Sequence, residues 1–382
     1  GENINLAKAF LAGIDKDTVF TAEAVESSVE SIVENGSPAT TNLFNLTELT
    51  DTFTGSSGKD VFQGIVVDQL GAGTTVTPGD SIVGGDGSKD TFNISVTGTS
   101  TGPVNITGVN ADVEKILFSN LDKRGADSTN YDASLSNGLT TVGFSNSTAN
   151  GDTVFTGLQN IVDVEMTRGE ADLTVTYVNS AVSGDSDTST LTLSAQTGGT
   201  FTETSASAGG LEILNVVSEG SENEVGITSA RDTLATVNIS GNQDLTTTVT
   251  SDAIETINAS TFTGDLDLTV VGDTDISVTG GSGDDALTLP DFDEDDTVDG
   301  GDGTDTLTIS NNIADADALG GVSNVEVLEV TGANKTVTLD ANASVMNFDF
   351  SAAASQDLTL AEGVTGAVTV TVGAGVDEIV NT

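Results

Sequence analysis

Two short stretches of the chain combine glycine and aspartate at a spacing that suits a hard cation. They begin at Gly280 and Gly300, and each has the pattern Gly-Gly-x-Gly-x-Asp followed by alternating apolar residues. Paired glycines allow positive φ angles, so the carbonyl oxygens of a tight turn can converge on one point. Asp285 and Asp305 add carboxylates to these carbonyls, and oxygen-only ligands at a flexible turn are typical of calcium sites.

We therefore predict a calcium site shared by the two turns. They start twenty residues apart, close to one coil of a parallel β-solenoid, so the second turn should lie directly over the first. Related stretches at 51–62, 80–92 and 373–379 lack a glycine or contain an insertion, and we expect them to keep the turn shape with weaker calcium binding. The predicted ligand positions are Gly281, Gly283, Asp285, Gly300, Asp302, Gly303 and Asp305 in the complete turns, and Asp60, Asp86 and Asp90 in the degenerate ones.

At these residues the chain resembles the RTX family of calcium-binding repeat proteins, which Gram-negative bacteria export by type I secretion. The resemblance implies a right-handed parallel β-roll that folds when it meets extracellular calcium. It also implies an extracellular location at the cell surface.

A second repeat predicts the strands that position the turns. Its core is a short run in which apolar residues alternate with acidic or polar ones, and several copies start about twenty residues apart. One such coil is too small to bury its own apolar face, so stacked coils must share a core. The copies occupy 113–118, 161–166, 211–216, 234–239, 254–259, 325–330 and 345–350. The starts of the first three copies are about fifty residues apart. This spacing predicts either an additional coil in each gap or one coil that carries a long excursion, a loop leaving the stack, for which 121–138 is a candidate.

Composition limits the partners and the chemistry. The chain has 382 residues, with 59 acidic against 10 basic residues and a formal net charge of −49. This charge argues against nucleic acid or an anionic membrane as a partner and favours divalent cations; it also fits adaptation to high salt. The absence of Cys and His excludes disulfides, His-based triads and most zinc or copper sites. No apolar run is long enough to span a bilayer, so we expect no membrane insertion.

These patterns predict an all-β fold, a parallel β-solenoid or β-roll with calcium-binding glycine–aspartate turns, preceded by a short helical segment. The helical segment either caps the stack or ends an upstream domain. The adjacent pair Lys123 and Arg124 lies either in a solvated loop or against an acidic face of another copy. The predicted regions are 1–38 (helical), 39–135 (β, degenerate turns), 136–275 (solenoid repeats), 276–310 (calcium-binding coils) and 311–382 (C-terminal repeats).

We interpret the chain as a structural protein rather than an enzyme. A Thr- and Ser-rich β-stack with calcium turns resembles the surface-layer proteins of Gram-negative bacteria. That resemblance implies calcium-dependent self-assembly of identical copies, with a cell-surface polysaccharide as a further candidate partner. One alternative is an RTX adhesin or virion-surface fibre that uses the stack as a stalk. The other is the calcium-binding part of a secreted enzyme such as a polysaccharide lyase, for which the candidate bases are Arg168, Arg231 and Lys335.

Overall fold

The computed structural model describes residues 41–67, 70–87, 89–98, 102–121, 128–272, 275–313, 318–339, 345, 347–351, 356–360, 364, 367–372 and 378–381. Three predictions lie outside these ranges: the helices of 1–38, the environment of Lys123 and Arg124, and most of the degenerate turn at 373–379.

The described chain is a β-solenoid whose strands pair in parallel with those of neighbouring coils. Two sheets of thirteen strands form its main faces, and two three-stranded sheets flank its ends. This confirms the predicted all-β parallel solenoid. Apart from the strands, the described residues contain two short 3₁₀ helices, Ala133–Leu135 and Ala318–Gly321.

Strands are numbered in chain order. In spatial order the first sheet contains β1 (Asn42–Asn45), β3 (Asp60–Val67), β5 (Thr91–Thr97), β8 (Lys115–Asn120), β10 (Thr141–Ser145), β12 (Asp163–Thr167), β14 (Thr188–Ser194), β16 (Ile213–Glu219), β18 (Thr236–Gly241), β20 (Thr256–Phe262), β22 (Ser277–Thr279), β24 (Thr297–Asp299) and β26 (Val322–Ser323). The second sheet contains β6 (Val104–Ile106), β9 (Thr129–Asp132), β11 (Thr153–Leu158), β13 (Leu173–Tyr177), β15 (Thr197–Ser205), β17 (Asn223–Ser229), β19 (Leu245–Thr250), β21 (Leu266–Val271), β23 (Ala286–Leu289), β25 (Thr306–Ile309), β27 (Val327–Val330), β29 (Asn347–Phe350) and β31 (Thr369–Val372). The small sheets are β2 (Thr52–Thr54), β4 (Ser81–Val83) and β7 (Asn110–Asp112), and β28 (Lys335–Leu339), β30 (Gln356–Leu360) and β32 (Glu378–Asn381).

The core consists of aliphatic side chains that lie directly over one another from coil to coil. Leu287 pairs with Leu307, and Leu307 pairs with Leu328, and all three are fully buried. In β25 the leucine and isoleucine point inward while the two threonines stay partly exposed. This alternation is the period of a pleated strand, and β-branched residues favour it.

The strand repeat appears in both long sheets. Its copies correspond to β8, β12, β16, β18 and β20 in the first sheet and to β27 and β29 in the second. Each of the two wide gaps contains one additional coil, through β10 and β14. The long sheets continue across the predicted boundaries at 135/136, 275/276 and 310/311.

The prediction of a long excursion over 121–138 is wrong for its described part. Thr129–Asp132 forms β9 of the second sheet, and Tyr131 is fully buried. The Tyr131 ring lies 6.1 Å from the ring of Phe118 and 5.9 Å from that of Phe155. Tyr131 therefore belongs to an aromatic cluster in the core.

Candidate cation-binding turns

The two complete glycine-rich turns stack as predicted. The turn Gly280 to Asp285 connects β22 to β23, and the turn Gly300 to Asp305 connects β24 to β25 one coil later. Strand register places Ala286 beside Thr306. Both turns therefore lie at the edge of the stack where the chain enters the second sheet.

A line of hydrogen bonds, buried at Asp285 and Asp305 and partly buried at Glu326, runs through these turns. The N–H of Leu266 donates to Oδ1 of Asp285 at 3.0 Å, and the N–H of Asp285 donates to Oδ1 of Asp305 at 2.8 Å. The N–H of Asp305 donates in turn to Oε2 of Glu326 at 2.8 Å. We call Asp285, Asp305 and Glu326 the C-terminal carboxylate ladder. Each carboxylate accepts a backbone N–H from the preceding coil, as buried donors require.

An equivalent line begins the solenoid at the edge that leads into the first sheet. The N–H of Asp60 donates to Oδ1 of Asp90, and the N–H of Asp90 donates to Oε2 of Glu114, both at 2.7 Å. We call Asp60, Asp90 and Glu114 the N-terminal carboxylate ladder. The insertion before Asp90 does not displace its carboxylate from this position.

The aspartates of these turns form two groups, according to whether the second carboxylate oxygen, Oδ2, has a hydrogen-bond partner. In most cases Oδ2 accepts an N–H from the aspartate's own turn, which satisfies both oxygens. This arrangement is found at Asp60 (from Ser56), Asp80 (from Thr77), Asp285 (from Gly281) and Asp296 (from Asp293). Asp90 and Asp305 differ, since each is fully buried and its Oδ2 has no hydrogen-bond partner among the described residues.

The hydrogen bonds of the turn before Asp305 explain why Oδ2 of Asp305 has no partner. The N–H of Gly301, which occupies the position of Gly281, donates instead to Oδ1 of Asp299 at 3.3 Å. A buried polar atom without a partner is costly, and a buried negative charge is more so. A proton or a cation at Oδ2 of Asp305 would remove this cost.

Both carboxylates with an unpartnered oxygen have a raised pKa. Burial raises the pKa of Asp305 to about 6, and the negative charges of Asp285, Glu326 and Asp284 act in the same direction. Burial also raises the pKa of Asp90, with additional repulsion from Glu114 and Asp60.

Asp60 shows the opposite behaviour. Although burial alone would raise it, hydrogen bonds from Ser56 and Asn42 lower the pKa of Asp60. Asp90 and Asp305 therefore hold protons more tightly than a free aspartate, whereas Asp60 holds its proton less tightly. Burial also raises the pKa of Asp285 and Asp296, although both oxygens of each accept hydrogen bonds, so the raised pKa follows burial and the unpartnered oxygen is a separate property of Asp90 and Asp305.

Close stacking of the turns accounts for their glycines. Gly301 and Gly303 have φ of +99° and +132°, and a Cβ on either would lie 2.1 Å from the carbonyl oxygen of Gly281 or Gly283, respectively. No side chain fits between the turns, and the positive φ disfavours one in any case. The carbonyl oxygens of Gly281 and Gly283 therefore lie at the contact between the two coils.

The remaining predicted ligand residues are not brought into the ladders. Asp86 and Asp302 are exposed at the surface of their turns. The N–H of Asp302 donates to the carbonyl oxygen of Gly281 at 3.1 Å, so its backbone rather than its carboxylate joins the two coils.

Sequence reasoning missed the glutamates that complete both ladders. Strand register places Glu326 over Asp305, because the following residues Thr306 and Val327 pair. The signal was present as an acidic residue two positions before a buried core residue, as in Asp305 with Leu307 and Glu326 with Leu328. The glycine-rich repeat and the strand repeat therefore share one structural position.

Two exposed aspartates form an outer line beside the C-terminal ladder. The N–H of Asp284 donates to Oδ1 of Asp265 at 2.9 Å, and the N–H of Thr304 donates to Oδ1 of Asp284 at 2.8 Å. The carboxylate of Asp284 adds negative charge close to the buried Asp305.

The acidic run 291–296 forms the turn between β23 and β24, on the edge opposite the stacked glycine turns, as predicted. Carboxylate oxygens of Asp275, Asp293 and Asp295 lie within 4.8 Å of one another there, and all three residues are exposed. Both oxygens of the neighbouring Asp296 accept backbone N–H groups, from Ile276 and Asp293. The buried acid at this edge is therefore saturated.

The three candidate bases lie on separate coils. Arg168 Nε donates to Oδ1 of Asn146 at 3.1 Å, and a terminal nitrogen of Arg231 donates to the carbonyl oxygen of Ser205 at 2.9 Å. Lys335 begins β28. Each arginine is thus paired with neutral groups of its own surroundings, and the three do not converge on one cleft.

No protein-family model and no curated protein matches the chain. The resemblance to calcium-binding repeat proteins therefore rests on the residues of the two complete turns and their degenerate copies. Among the described residues, no helix has the length and apolarity needed to cross a membrane.

Proposed function

We propose that the chain is an extracellular structural protein, a calcium-dependent, self-assembling subunit of a surface layer or a related cell-surface lattice or filament. The observation that carries the proposal is the unpartnered, fully buried Oδ2 of Asp305 within a line of carboxylates that connects successive coils. Such an arrangement is unfavourable as a set of bare charges and favourable around a cation.

Calcium suits this position better than other metals. The groups at the contact between the coils are carboxylates and backbone carbonyls, and there is no Cys or His anywhere in the chain to bind a softer metal. Asp305, the exposed Asp284 and the carbonyl oxygens of Gly281 and Gly283 are the groups that would hold the ion. Binding to the folded state alone would stabilise the stacked coils.

Shape and charge support the step from a folded coil stack to an assembly. Thirteen strands at a spacing of about 4.8 Å give a stack about 60 Å long with two broad faces. A net charge of −49 makes copies of this chain repel one another. Divalent cations between acidic faces would cancel that repulsion, so both folding and packing would depend on calcium.

The test is a calcium titration of the full chain with magnesium as the control ion. Circular dichroism reports folding, and light scattering with negative-stain imaging reports assembly. We expect millimolar calcium to raise β content and to produce sheets or filaments. Asp305→Asn should require more calcium for both steps, whereas Asp267→Asn, which removes an equal charge at an exposed position of β21, should not.

Two outcomes would contradict the proposal in different ways. Calcium-induced folding of a chain that stays monomeric would exclude self-assembly and favour the stalk of an adhesin or fibre. No response of folding or assembly to calcium would exclude the cation role of Asp305.

A further inference from the structure

A hollow of about 240 Å³ lies at the edge of the stack where the chain enters the second sheet. It spans three successive coils, at the starts of β15, β17 and β19. Gln196 lines it from the buried side, and Glu222, Glu224 and Asp244, which are all exposed, line it from the solvent side. The hollow lies several coils before the C-terminal carboxylate ladder and shares no residue with it.

Gln196 occupies the position that the ladder carboxylates occupy in later coils. Strand register stacks Gln196, Asn223, Leu245, Leu266 and Asp285 over one another. The N–H of Gln196 donates to Oδ1 of Asn223 at 2.8 Å, the same contact that joins neighbouring carboxylates in the ladder. Two neutral amides therefore replace the carboxylates in this part of the stack.

The Gln196 side chain has one polar atom without a partner. Gln196 is fully buried, and its Nε2 donates to the carbonyl oxygen of Gly198 at 2.6 Å. The other end of the amide, Oε1, has no hydrogen-bond partner among the described residues, whereas both ends of the Asn223 amide are paired. A buried acceptor without a partner is costly, and an amide, unlike the carboxylate of Asp305, does not take up a proton. Oε1 of Gln196 therefore requires a donor from outside the chain.

A β-bulge holds Gln196 in place. The register between β15 and β17 shifts between Thr197 and Thr200, where Gly198 and Gly199 lie opposite a single residue of β17. Gly199 has a φ of +82°, and a Cβ on it would lie 2.2 Å from a carbonyl oxygen of the preceding coil. Bulges re-aim the residues beside them, and this one is packed tightly against its neighbour. The hollow is therefore preformed.

The charge of the hollow is negative. It is lined by three acidic residues, and no basic side chain lines it among the described residues. Arg168 lines a separate hollow that shares only Thr197 with this one. The Arg168 guanidinium is hydrogen-bonded to Ser145 and Asn146, which lie two coils before β15. The hollow therefore offers hydrogen-bond acceptors and negative charge to a cation that carries N–H donors.

The spacing of the acids favours an organic cation over a bare metal ion. Calcium ligands lie about 2.3–2.6 Å from the ion, so the oxygens of one site must lie close together. Among the described residues, only Asp275, Asp293 and Asp295 bring three carboxylate oxygens within 4.8 Å of one another, so the acids of the hollow do not. A primary ammonium group has three N–H donors and can pair with one acceptor while more distant carboxylates attract its charge.

We propose that the hollow binds a primary alkylammonium group, which donates a hydrogen bond to Oε1 of Gln196. The carboxylates of Glu222, Glu224 and Asp244 supply the opposite charge. Both a small free amine and the lysine side chain of another protein carry this group. The site uses no residue of the calcium turns and does not depend on self-assembly, so it stands or falls independently of the proposed function.

The test is calorimetric titration of the full chain, in calcium sufficient to fold it, with diaminobutane and with a peptide that contains one lysine. We expect saturable binding of at least one of these probes. Tighter binding of the diamine identifies a free amine as the ligand, and tighter binding of the peptide identifies a lysine side chain. Tetramethylammonium has a positive charge but no N–H, so it should bind about tenfold more weakly or less.

Two variants separate the hydrogen bond from the charge. Gln196→Met removes the acceptor at similar size and should weaken amine binding about tenfold. Glu224→Gln removes one exposed charge and should weaken it about two- to fivefold. Glu255→Gln removes the same charge at an exposed position before β20, on the edge that leads into the first sheet, and should leave binding unchanged. This control measures the diffuse attraction of an amine to a chain with a net charge of −49.

Three results would overturn the proposal, with circular dichroism used to show that each variant is folded. One is no saturable binding of either amine by the wild type. Another is a Glu224→Gln variant that binds as tightly as Glu255→Gln, a comparison that holds even if Gln196→Met does not fold. The third is displacement of the amine by additional calcium at constant ionic strength, which would identify a metal ion as the occupant.

Discussion

The backbone N–H of Asp285 donates to the side chain of Asp305, one coil further along the chain, at 2.8 Å. The same relationship joins Asp60 to Asp90 at 2.7 Å. The aspartate of a glycine-rich turn therefore has two tasks. It pairs a buried backbone donor of the previous coil, and in Asp90 and Asp305 it retains one oxygen for another partner. These two tasks can be separated by mutation.

Replacing Asp305 by Ala and by Asn should have different effects without calcium. Asp305→Ala leaves the N–H of Asp285 buried and unpaired, and should lower the free energy of unfolding by about 1–3 kcal/mol. Asp305→Asn keeps an acceptor and removes a buried charge, so it should be as stable as the wild type or more stable. Urea denaturation in EDTA measures both. Equal losses for the two variants would show that the hydrogen bond is not the stabilising contact.

With calcium present, the order of stabilities should change. Saturating calcium at one hundred times its dissociation constant should add about 2.7 kcal/mol to the wild type. Asp305→Asn should gain clearly less, and Asp267→Asn should gain as much as the wild type. A full calcium increment in Asp305→Asn would place the ion elsewhere.

The raised pKa of Asp305 predicts how stability depends on pH. The folded protein holds this proton with a pKa of about 6, against 3.8 for an ordinary aspartate. The contribution of this proton to stability is therefore complete below about pH 4 and is lost as the pH rises through 6. In EDTA, the difference in unfolding free energy between wild type and Asp305→Asn should shift in favour of the wild type as the pH falls from 7 to 5. A difference that is constant over this range would contradict the prediction.

Calcium binding should show the reverse dependence on pH. A proton and a cation compete for the same oxygen, so the apparent calcium affinity should fall as the pH drops below 6. Calorimetric titration at pH 7.5, 6.0 and 5.0 measures this, and magnesium under the same conditions serves as the control.

Glu326→Gln tests the coupling within the C-terminal ladder. Glutamine still accepts the N–H of Asp305, but it removes a negative charge that raises the pKa of Asp305. The pH dependence attributed to Asp305 should therefore move to lower pH, and calcium should bind more weakly. Glu114→Gln, at the equivalent position of the N-terminal ladder, should leave the behaviour of Asp305 unchanged.

Alanine substitutions of glycine separate backbone strain from steric contact. Gly303→Ala combines a φ of +132° with a Cβ 2.1 Å from a carbonyl oxygen, and should cost more than about 2 kcal/mol of unfolding free energy. Gly198→Ala has a similar φ of +144° with no atom within 4 Å, so it should cost only the strain. Gly320→Ala, also without a close neighbour, should be nearly neutral. Equal losses at Gly303 and Gly198 would show that the contact between turns is loose.

The repeat length and the inward residues could be predicted because each coil must bury one side of its strands. Leu287 and Leu307 follow this rule and lie over one another. The coil containing Tyr131 could not be predicted in this way, since a single aromatic residue replaces the alternating aliphatic pattern. Glu326 was missed because it is an exposed residue directly before β27, and its hydrogen bond from the N–H of Asp305 depends on the position of the preceding coil.

The unpartnered oxygens of Asp90 and Asp305 were also beyond sequence reasoning. Asp285 and Asp305 end nearly identical motifs, yet only the first receives a hydrogen bond from its own turn. The difference depends on which acceptor a single N–H of Gly301 selects. The consensus pattern is the same for the two aspartates, but their hydrogen bonds in the folded structure differ.

The parallel pairing of coils also determines how this protein responds to a pulling force. Hydrogen bonds between neighbouring strands point along the stack, so tension applied between its two ends acts on one coil at a time. A released coil of twenty residues spans about 65–70 Å when extended, against about 5 Å in the stack. A force–extension record of a single molecule should therefore show a series of regular steps, one for each coil that unfolds, before the chain is fully extended.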